Sequence, residues 1–504
     1  MKIAIYQTSD LHGYVYPTNY VEEKSLGILK ICSYILEDEK KYDKSLKIDC
    51  GDLIQGSALT QFLSKKNLRE NPITNLLMDV GYNAFVLGNH EFNYGLEYLK
   101  NAYKNLEDKI INANIKGLPF KTKPYNIFDI EGFKIAFIGF TTSFIPNWES
   151  EKNIKGIEFL NPVEVYREYE DELKEKSDMI ILCYHGGFEK SLDGRNIPTE
   201  NLTKENQGSE FLEKYNSIDI ILSGHQHRSF IEKVNNVICT QPMNNGQTFV
   251  KLIIDTETRE IEYELIDVSK LEINIDKELE SKFKCINEEL NIYLNKIIGD
   301  LEVDLRIDDL FEARLNGHPF INFIHDVQLD ATGADFSTIP LFDTVKGFGN
   351  KVTIKDIIVN FPYPNTLKVL KVKGSKLKEA IEKSVTYFVV ENNKVKINKE
   401  FLVPKIQNYN YDMFAGLNYE VDLNREFYDR VISMKKDNIE IDLEKEYTIV
   451  TNSYRATNTS VYPAYKDAEV VKEVNMDMSE LIVNYFQNHN KIIINKEKNY
   501  IFNW

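Results

Sequence analysis

The sequence predicts an α/β protein built from two domains. Its 504 residues exceed the about 250–300 residues at which a single hydrophobic core stops growing. The first half alternates short β-branched runs with amphipathic stretches, which is typical of strands and helices arranged in layers. A long amphipathic segment then precedes a second half of different composition. We therefore expect a first domain over residues 1–270, a linking helix over 271–300 and a second domain over 301–504.

The apolar runs of the first half are the predicted strands. Each is short, rich in apolar and β-branched residues and bounded by polar turns, which favours a strand over a helix. One helix between them is predicted to begin at Asn161-Pro162, where an N-cap residue precedes a proline of the first turn. The predicted strands cover residues 3–6, 46–48, 84–87, 133–140, 179–183 and 218–222.

Between Leu279 and Ile297, apolar residues recur at spacings of three and four, and Gly299 follows. This pattern predicts one amphipathic helix over residues 272–298 that ends at the glycine. Such a helix is either an ordinary core-facing helix or a connector between domains. Its position between two unlike halves favours the connector. In the second half, residues 366–372 are predicted to form a strand that leads through a glycine turn into an amphipathic helix.

Composition and charge limit the partners of the chain. Hydrophobic residues make up 42% and charged residues 28%, which is typical of a globular protein. The net charge of −17 disfavours a nucleic-acid polymer, because neutralising phosphates requires a basic surface. A small anionic substrate remains compatible if bound metal ions supply positive charge. Nothing in the sequence indicates an obligate protein partner.

The sequence shows no membrane or export signal. No apolar segment approaches the roughly 18 residues of a membrane span, and the strand-like run at residues 2–6 has no signal peptide before it. We therefore expect a cytoplasmic protein without membrane partners, unless the chain is the trimmed form of an exported one.

Five short polar clusters each follow one of the predicted strands. Side chains just beyond the carboxyl ends of strands in an α/β sheet converge on one crevice, so we expect a single site. Glycines within the clusters allow the tight backbone turns that such convergence requires. The clusters contain Asp10 and His12, Asp52, Asn89 and His90, His185, and finally His225 and His227.

The distribution of histidine favours a metal site. Only eight histidines exist in the chain, and five of them lie in these clusters. One such histidine alone would more often be structural, but five together with aspartates indicate a polynuclear centre. Carboxylate, imidazole and amide donors in combination suit Zn²⁺, Mn²⁺ or Fe²⁺ better than Ca²⁺ or Mg²⁺. We therefore expect divalent ions of that group as cofactors.

The ordered motifs DxH, GDxxxG, GNHE, H and GHxH resemble the calcineurin-like metallophosphoesterase family over residues 3–255. The resemblance implies a four-layer αββα sandwich around two metal ions, which together activate a water molecule and neutralise phosphoryl charge. By this resemblance His90 is not a metal ligand. It would instead stabilise developing charge or protonate the leaving group. The implied ligands are Asp10, His12 and His227 for one ion, Asn89, His185 and His225 for the other, and Asp52 as the bridge.

The second half resembles the C-terminal substrate-binding domain of the 5′-nucleotidase family at residues 352–357, 363–367 and 372–374. The resemblance implies an α/β domain that recognises the nucleotide and moves against the metal domain. Tyr363 and Tyr454 would sandwich the base, since stacking suits any base. For either tyrosine taken alone, the alternative is that its ring packs in the core or on the surface of the domain without contacting substrate. Further substrate contacts are assigned to Asn365, Tyr411 and Arg455, where Arg455 either contacts phosphate or ribose or pairs with a nearby carboxylate.

Three features resemble the 2′,3′-cyclic-nucleotide 2′-phosphodiesterase/3′-nucleotidase branch of that family. Asn93 stands where 5′-nucleotidases usually carry the Asp that partners the catalytic histidine, so Asn93 is assigned to catalysis with His90. The segments at 409–412 and 452–456 resemble the YNFD and NNYRA segments of the branch. Residues 333–337 lack the phosphate-binding arginine of 5′-nucleotidases. After Ala456 the chain departs from the branch, which usually continues with glycines.

These features imply a hydrolase that converts 2′,3′-cyclic nucleotides to 3′-nucleotides and then to nucleoside and phosphate. A 5′-nucleotidase or nucleotide-sugar hydrolase on the same scaffold is one alternative. A nucleotide-binding sensor that has lost catalysis is a second alternative, from a different class of protein.

Overall fold

The structure is a computed structural model, which describes residues 1–20, 22–66, 68–147, 149–200, 202–361, 365–403, 406–457, 461–474, 476–489 and 491–504. The chain forms two compact units. Unit 1 is Met1–Asn291 and unit 2 is Ile292–Trp504.

Unit 1 contains two large sheets and the helices that cover them. Its strands are β1 (Lys2–Thr8), β2 (Lys44–Asp49), β3 (Ala84–Phe85), β4 (Ile115–Lys116), β5 (Tyr125–Ile130), β6 (Phe133–Thr141), β7 (Glu158–Phe159), β8 (Met179–His185), β9 (Ile220–Ser223), β10 (Phe230–Val234), β11 (Val237–Gln241), β12 (Thr248–Asp255) and β13 (Ile261–Asp267). Its helices are α1 (Ile28–Asp38), α2 (Ala58–Ser64), α3 (Pro72–Asp79), α4 (Gly95–Tyr103), α5 (Pro162–Lys176) and α6 (Gly208–Lys214), followed by α7 (Lys277–Leu294).

Both sheets combine parallel and antiparallel strands. The first has the order β13-β12-β1-β2-β3, with β1, β2 and β3 parallel. The second has the order β10-β11-β9-β8-β6-β5, with β6, β8, β9 and β11 parallel. Strands β1 and β8 are buried almost throughout, as expected for strands that are covered on both faces. The carboxyl ends of the parallel strands therefore meet at one edge of each sheet.

A shared apolar core joins the sheets face to face. Ile5 and Ile48 of the first sheet belong to one buried cluster with Phe137, Ile181 and Leu222 of the second. Helices α5 and α6 cover the outer face of the second sheet in a separate buried cluster. Helix α1 lies on the outer face of the first sheet, where its Tyr34 ring contacts Phe249 of β12. The predicted four-layer αββα sandwich is confirmed.

Helix α5 begins at the predicted position. The Asn161 side chain accepts hydrogen bonds from the backbone N–H groups of Val163 and Glu164, and Pro162 occupies the first turn. Val163 and Tyr166 are buried against the second sheet. The N-cap and first-turn proline therefore place the helix so that its apolar face meets the sheet.

Helix α7 is shorter than the sequence pattern predicts. It begins after Asp276, whose carboxylate accepts hydrogen bonds from the N–H groups of Glu278 and Leu279, and it ends at Leu294. Gly299 does not end the helix but lies in the next strand, where a Cβ atom would stand 2.3 Å from the Phe486 ring. Leu279 is buried, and the boundary between the units falls within the last turn of the helix.

Unit 2 is a second α/β body with one hydrophobic core. Its strands are β14 (Ile297–Asp300), β15 (Phe336–Pro340), β16 (Lys351–Thr353), β17 (Leu367–Lys373), β18 (Phe388–Glu391), β19 (Lys394–Ile397), β20 (Asp412–Ala415), β21 (Asn418–Asp422), β22 (Val431–Lys436), β23 (Ile439–Glu440), β24 (Glu446–Asn452), β25 (Glu469–Val474) and β26 (Tyr500–Asn503). Its helices are α8 (Leu310–Asn316), α9 (Pro319–Thr332), α10 (Ile354–Asn360), α11 (Gly374–Val385), α12 (Ser453–Thr457) and α13 (Met478–Asn488).

A five-stranded sheet of order β20-β15-β24-β17-β25 forms the centre of unit 2, beside a four-stranded sheet of order β23-β22-β21-β26. The predicted strand at 366–372 is β17, and the predicted helix after the glycine is α11. Leu377 and Ile381 of α11 are fully buried in the core of the unit. Of the helices that the structure describes in either unit, none could span a lipid bilayer.

Candidate metal centre

The seven predicted ligands come together in unit 1, at the carboxyl ends of β1, β2, β3, β8 and β9. Two groups of possible ligand atoms form there, and within each group all atoms lie within 4.8 Å of one another. Asp52 belongs to both groups. Asn89 joins the second through its Oδ1 atom, which lies 3.1 Å from His185 Nε2 and 2.9 Å from His225 Nδ1. The first group is Asp10, His12, Asp52 and His227, and the second is Asp52, His185 and His225.

Five of these residues have left-handed backbone conformations, which are uncommon outside glycine and persist only where the surroundings enforce them. The surroundings here are hydrogen bonds between the loops. The Asp10 N–H donates to the Gly51 carbonyl, and the His12 N–H donates to the Asp52 carbonyl, both at 2.8 Å. Each strand end thus holds its neighbour in the strained turn. The φ angles are 53° for Asp10, 48° for His12, 57° for Asp52, 75° for His225 and 55° for His227.

Glu91 ties the loop after β2 to the loop after β3. Its fully buried carboxylate accepts the N–H groups of Asp52 at 2.8 Å and Leu53 at 2.7 Å, and it also accepts the N–H group of Gly88. The Tyr103 hydroxyl donates to the same carboxylate at 3.3 Å. The sequence alone gives Glu91 no role beyond its place in the GNHE motif. The structure shows that it fixes the backbone of the proposed bridging ligand.

Gly88 is required because the two loops approach each other closely. A Cβ atom at this position would stand 2.2 Å from the Asp52 Oδ1 atom and 2.5 Å from the Asp52 nitrogen. Because glycine has no side chain, the loops can approach closely enough for the His90 N–H to donate to Asp52 Oδ1 at 2.8 Å. The bridging carboxylate is therefore oriented by the backbone of the GNHE motif.

Backbone carbonyls select which nitrogen of two histidines faces the centre. The Nδ1 atom of His12 lies 2.8 Å from the Gln55 carbonyl, and that of His185 lies 2.7 Å from the Cys50 carbonyl. A carbonyl only accepts hydrogen bonds, so Nδ1 donates its hydrogen and Nε2 is the nitrogen that can bind metal. His12 Nε2 lies 3.1 Å from His227 Nε2. Two imidazole nitrogens directed at one small space fit a shared cation.

His225 binds in the opposite orientation because of a carboxylate that the sequence does not reveal. Its Nε2 atom lies 3.0 Å from Glu205 Oε1, whereas its Nδ1 atom lies toward Asn89. A carboxylate accepts the Nε2 hydrogen and leaves Nδ1 for the metal. Glu205 lies between β8 and α6, in a segment without a recognisable motif or periodicity. No sequence signal could therefore have identified it.

The charges of the metal-free centre follow from burial and from close pairs. Burial acts to raise the pKa of Asp10, but the imidazoles of His227 and His185 hold it at about 2. Burial acts to lower the pKa of His185, but the Asp52 carboxylate at 3.2 Å raises it to about 10. Burial dominates at His12 and lowers its pKa to about 4. His12 is thus already neutral, whereas His185 must lose a proton before it can bind metal.

His90 lies at the rim of the centre and belongs to neither ligand group. Its Nε2 atom is 4.0 Å from Asp52 Oδ2, and its side chain is 22% exposed. Its Nδ1 atom lies 2.6 Å from Asn93 Oδ1. A partly exposed imidazole beside the proposed bridging carboxylate can reach a substrate bound there. The catalytic role of His90 and Asn93 stays a prediction.

Two of the predicted substrate contacts are core residues of unit 2. The Tyr411 side chain is 1% exposed, donates its hydroxyl hydrogen to the Arg314 carbonyl and stacks on Tyr387. Arg455 is 2% exposed and forms a two-pronged ion pair with Asp412, with both N–O distances at 2.9 Å. These contacts hold both side chains within unit 2, and substrate contacts by Tyr411 and Arg455 stay predictions. For Arg455 the structure shows the pairing with a nearby carboxylate that the sequence offered as one alternative.

The other predicted substrate contacts are less constrained. Asn365 lines an apolar cavity with Phe342, Phe361 and Asn452. Tyr454 is half-buried in α12. Tyr363 lies outside the described residues. Substrate contacts by Asn365, Tyr363 and Tyr454 stay predictions.

Both halves of the chain match known families. Residues 3–229 match the profile of the calcineurin-like phosphoesterases, and residues 297–467 match that of the 5′-nucleotidase C-terminal domain. The crystal structure of a "Putative 5′-Nucleotidase from Staphylococcus aureus" in complex with α-ketoglutarate is 36% identical. It superposes with a TM-score of 0.90, and the match covers the whole of both chains.

Two curated bacterial proteins are more distant relatives. The 2′,3′-cyclic-nucleotide 2′-phosphodiesterase/3′-nucleotidase of Haemophilus influenzae is 24% identical over 99% of this chain and 87% of its own. The trifunctional nucleotide phosphoesterase protein YfkN of Bacillus subtilis is 23% identical over 96% of this chain. The match spans only 38% of the length of YfkN.

Metal binding at pH 7 is expected to release about one proton, because His185 gives up the proton that Asp52 stabilises. Calorimetric titration of the metal-free protein with Zn²⁺, in two buffers of different ionisation enthalpy, measures the proton count. His185→Asn serves as the control, since it removes the proton source. Equal proton release by the control would contradict the assignment. We also expect the affinity for Zn²⁺ to increase as the pH is raised from 7 toward 10.

Glu91→Gln is expected to weaken the metal centre without touching a ligand. The new NH₂ group would face backbone N–H donors, which leaves buried donors unsatisfied at a cost of about 1–3 kcal/mol. We expect a lower thermal unfolding midpoint and a lower metal content in the purified protein. The exposed Glu257→Gln is the matched control. A variant with full metal content would show that Glu91 does not hold the two loops together.

Proposed function

Since the chain belongs to the 5′-nucleotidase family, with a calcineurin-like phosphoesterase domain and a 5′-nucleotidase C-terminal domain, we propose that it hydrolyses nucleotide phosphoesters at two divalent metal ions. The preferred substrates are 2′,3′-cyclic nucleotides, which it opens to 3′-nucleotides. The 3′-nucleotides are then hydrolysed to nucleoside and phosphate at the same centre.

The observation that carries this proposal is the shared carboxylate of Asp52. Two ligand groups that have one residue in common can hold two neighbouring ions with Asp52 between them. Imidazole, carboxylate and amide donors favour Zn²⁺, Mn²⁺ or Fe²⁺ for both positions. When bound, such ions lower the pKa of water and neutralise the charge that develops on the phosphoryl oxygens.

The residues of the chain orient the metal ligands and supply a group that can carry a proton. The carbonyls of Gln55 and Cys50 orient His12 and His185, and Glu205 orients His225, so each of these rings presents a defined nitrogen to the centre. His90 donates a hydrogen bond or a proton to the leaving oxygen of the substrate. Its position beside Asp52, without membership in either ligand group, supports this division of labour.

Three points support the preference for cyclic nucleotides. The partner of His90 is the neutral amide of Asn93, as in the branch that the sequence resembles. A cyclic diester carries less negative charge than a monoester, so it requires fewer cationic groups. The relative from Haemophilus influenzae bears the name of this activity. The alternative is 5′-nucleotide hydrolysis. It is supported by the 36% identical protein from Staphylococcus aureus, which is named a putative 5′-nucleotidase.

A substrate panel separates these functions. The protein is stripped of metal, reloaded with Mn²⁺, Zn²⁺ or Fe²⁺ and assayed for kcat/KM on 2′,3′-cyclic AMP, 3′-AMP and 5′-AMP. We expect the highest value on the cyclic substrate and a lower one on 3′-AMP. Dominant turnover of 5′-AMP would establish the 5′-nucleotidase alternative. Nucleotide binding without turnover, in a sample with full metal content, would indicate a sensor.

Two variants test the division between ligands and catalyst. Asp52→Asn is expected to abolish turnover and to reduce metal content, because it weakens the ligand that both groups share. His90→Asn is expected to retain both ions but to lower kcat by about 10²–10⁴-fold. Metal analysis and steady-state kinetics on the same preparations measure both effects. Loss of metal from the His90 variant would refute the role given to His90.

A further inference from the structure

A carboxylate behind His90 has no place in the ligand set or in the motifs of the sequence. The Asn93 amide donates from Nδ2 to Glu149 Oε2 at 2.6 Å, while Asn93 Oδ1 faces His90 Nδ1, also at 2.6 Å. We propose that Glu149 is a positioning residue, which fixes the orientation of the Asn93 amide and thereby the tautomer of His90. This inference rests on the proposed function, in which His90 acts on the substrate.

The chemistry of the three groups allows only one arrangement. An ionised carboxylate accepts hydrogen bonds and donates none, so Asn93 must turn its NH₂ group toward Glu149. The amide oxygen then faces His90. Because this oxygen also only accepts, the hydrogen of the imidazole lies on Nδ1. The Nε2 atom is left facing Asp52 and the metal centre, where it can take up the proton that His90 passes to the leaving oxygen while Nδ1 keeps its own hydrogen.

Glu149 is itself held on both of its oxygens. Its Oε1 atom accepts the Ser150 N–H at 2.7 Å and the Asn153 side-chain amide at 2.9 Å. The same Asn153 amide donates to the backbone carbonyl of Asn93 at 3.0 Å. Both the backbone and the side chain of Asn93 are therefore anchored to the segment that carries Glu149.

Without the carboxylate, an asparagine amide has no strong preference between its two orientations. A flipped Asn93 would present NH₂ to His90, which would then have to accept at Nδ1 and carry its hydrogen on Nε2. His90 could then not carry hydrogen on both ring nitrogens, and Nε2 could not give a proton to the leaving oxygen without leaving an imidazolate anion. Glu149 removes this alternative, because the flip would bring an amide oxygen to 2.6 Å from a carboxylate.

The contact between Asn93 and Glu149 explains why the side chain at position 93 is an amide and not a carboxylate. An aspartate at this position would place two carboxylates against each other at the Glu149 contact, and like charges at that distance cannot both be tolerated. Asn93 and Glu149 therefore form a matched pair. The residue at 149 determines whether the partner of the catalytic histidine can be an amide or an acid.

The experiment is a double-mutant cycle in the full chain loaded with Zn²⁺. We expect Glu149→Gln to lower kcat by about 10–100-fold, because Asn93 can then flip, with metal content unchanged. Asn93→Asp alone is expected to lower kcat at least as far. The double variant is expected to recover most of the wild-type kcat. In it, the new amide at position 149 donates to the new carboxylate at position 93, which also accepts from His90.

Glu151→Gln is the matched control, since Glu151 is an exposed acid of the same segment. Wild-type kcat and KM are expected for it. Each variant is assayed on 2′,3′-cyclic AMP and on bis(p-nitrophenyl) phosphate, which needs no nucleotide recognition. Thermal unfolding midpoints are recorded for all proteins. A fold defect in Glu149→Gln that the double variant does not repair would make Glu149 a structural residue and overturn the proposal.

A direct readout comes from ¹⁵N spectra of the histidine rings, in which the His90 signals are identified by their loss in His90→Asn. We expect an Nδ1–H tautomer in the wild type and in the double variant. In Glu149→Gln we expect a mixture of tautomers. Unchanged His90 signals in Glu149→Gln, or a double variant no faster than the slower single variant, would overturn the inference. If the wild type hydrolyses neither substrate, the proposed function fails, while the spectra still decide the role of Glu149.

Discussion

The Glu91 carboxylate is the interaction on which the centre depends. By accepting N–H groups from Asp52, Leu53 and Gly88, it holds two chain segments together where a side chain at residue 88 would keep them apart. A buried carboxylate without donors would be costly, but here the surrounding amides satisfy it. The left-handed turn at Asp52 lies at this contact, and the neighbouring His90 N–H of the same motif orients the Asp52 carboxylate. The candidate metal ligands are therefore organised by backbone hydrogen bonds.

Around this anchor, three of the candidate ligands and the non-ligand His90 are each fixed by a group outside the ligand set. Carbonyls orient His12 and His185, Glu205 orients His225, and Asn93 with Glu149 orients His90. Two kinds of residue therefore have different roles at this edge of the sheets. Residues near strand ends supply the donor atoms, whereas carbonyls and side chains outside the ligand set determine which atom of each of these imidazoles is presented. Because the site is preorganised, the free energy needed to form the strained turns is spent during folding and not during the reaction.

The sequence predicts the sandwich and brings together all seven ligand positions, because polar clusters after parallel strands must meet at one edge. It does not predict Glu205 or Glu149, since both lie on irregular segments where no spacing connects them to the residues they orient. The sequence also does not show that Tyr411 and Arg455 are buried, because a motif records which residues occur together but not whether their side chains reach the surface. Similarly, the spacing of Ile297 fits the helical pattern, although the residue begins strand β14.

The buried pair of Arg455 and Asp412 has a consequence for how this chain can diverge. Losing one partner leaves an uncompensated charge in the core, at a cost of roughly 3–5 kcal/mol, whereas exchanging both for apolar residues of similar volume can be nearly neutral. Drift at these two positions must therefore be concerted. A segment that resembles a substrate motif would then persist among descendants through a requirement of folding, even where the preferred nucleotide has changed.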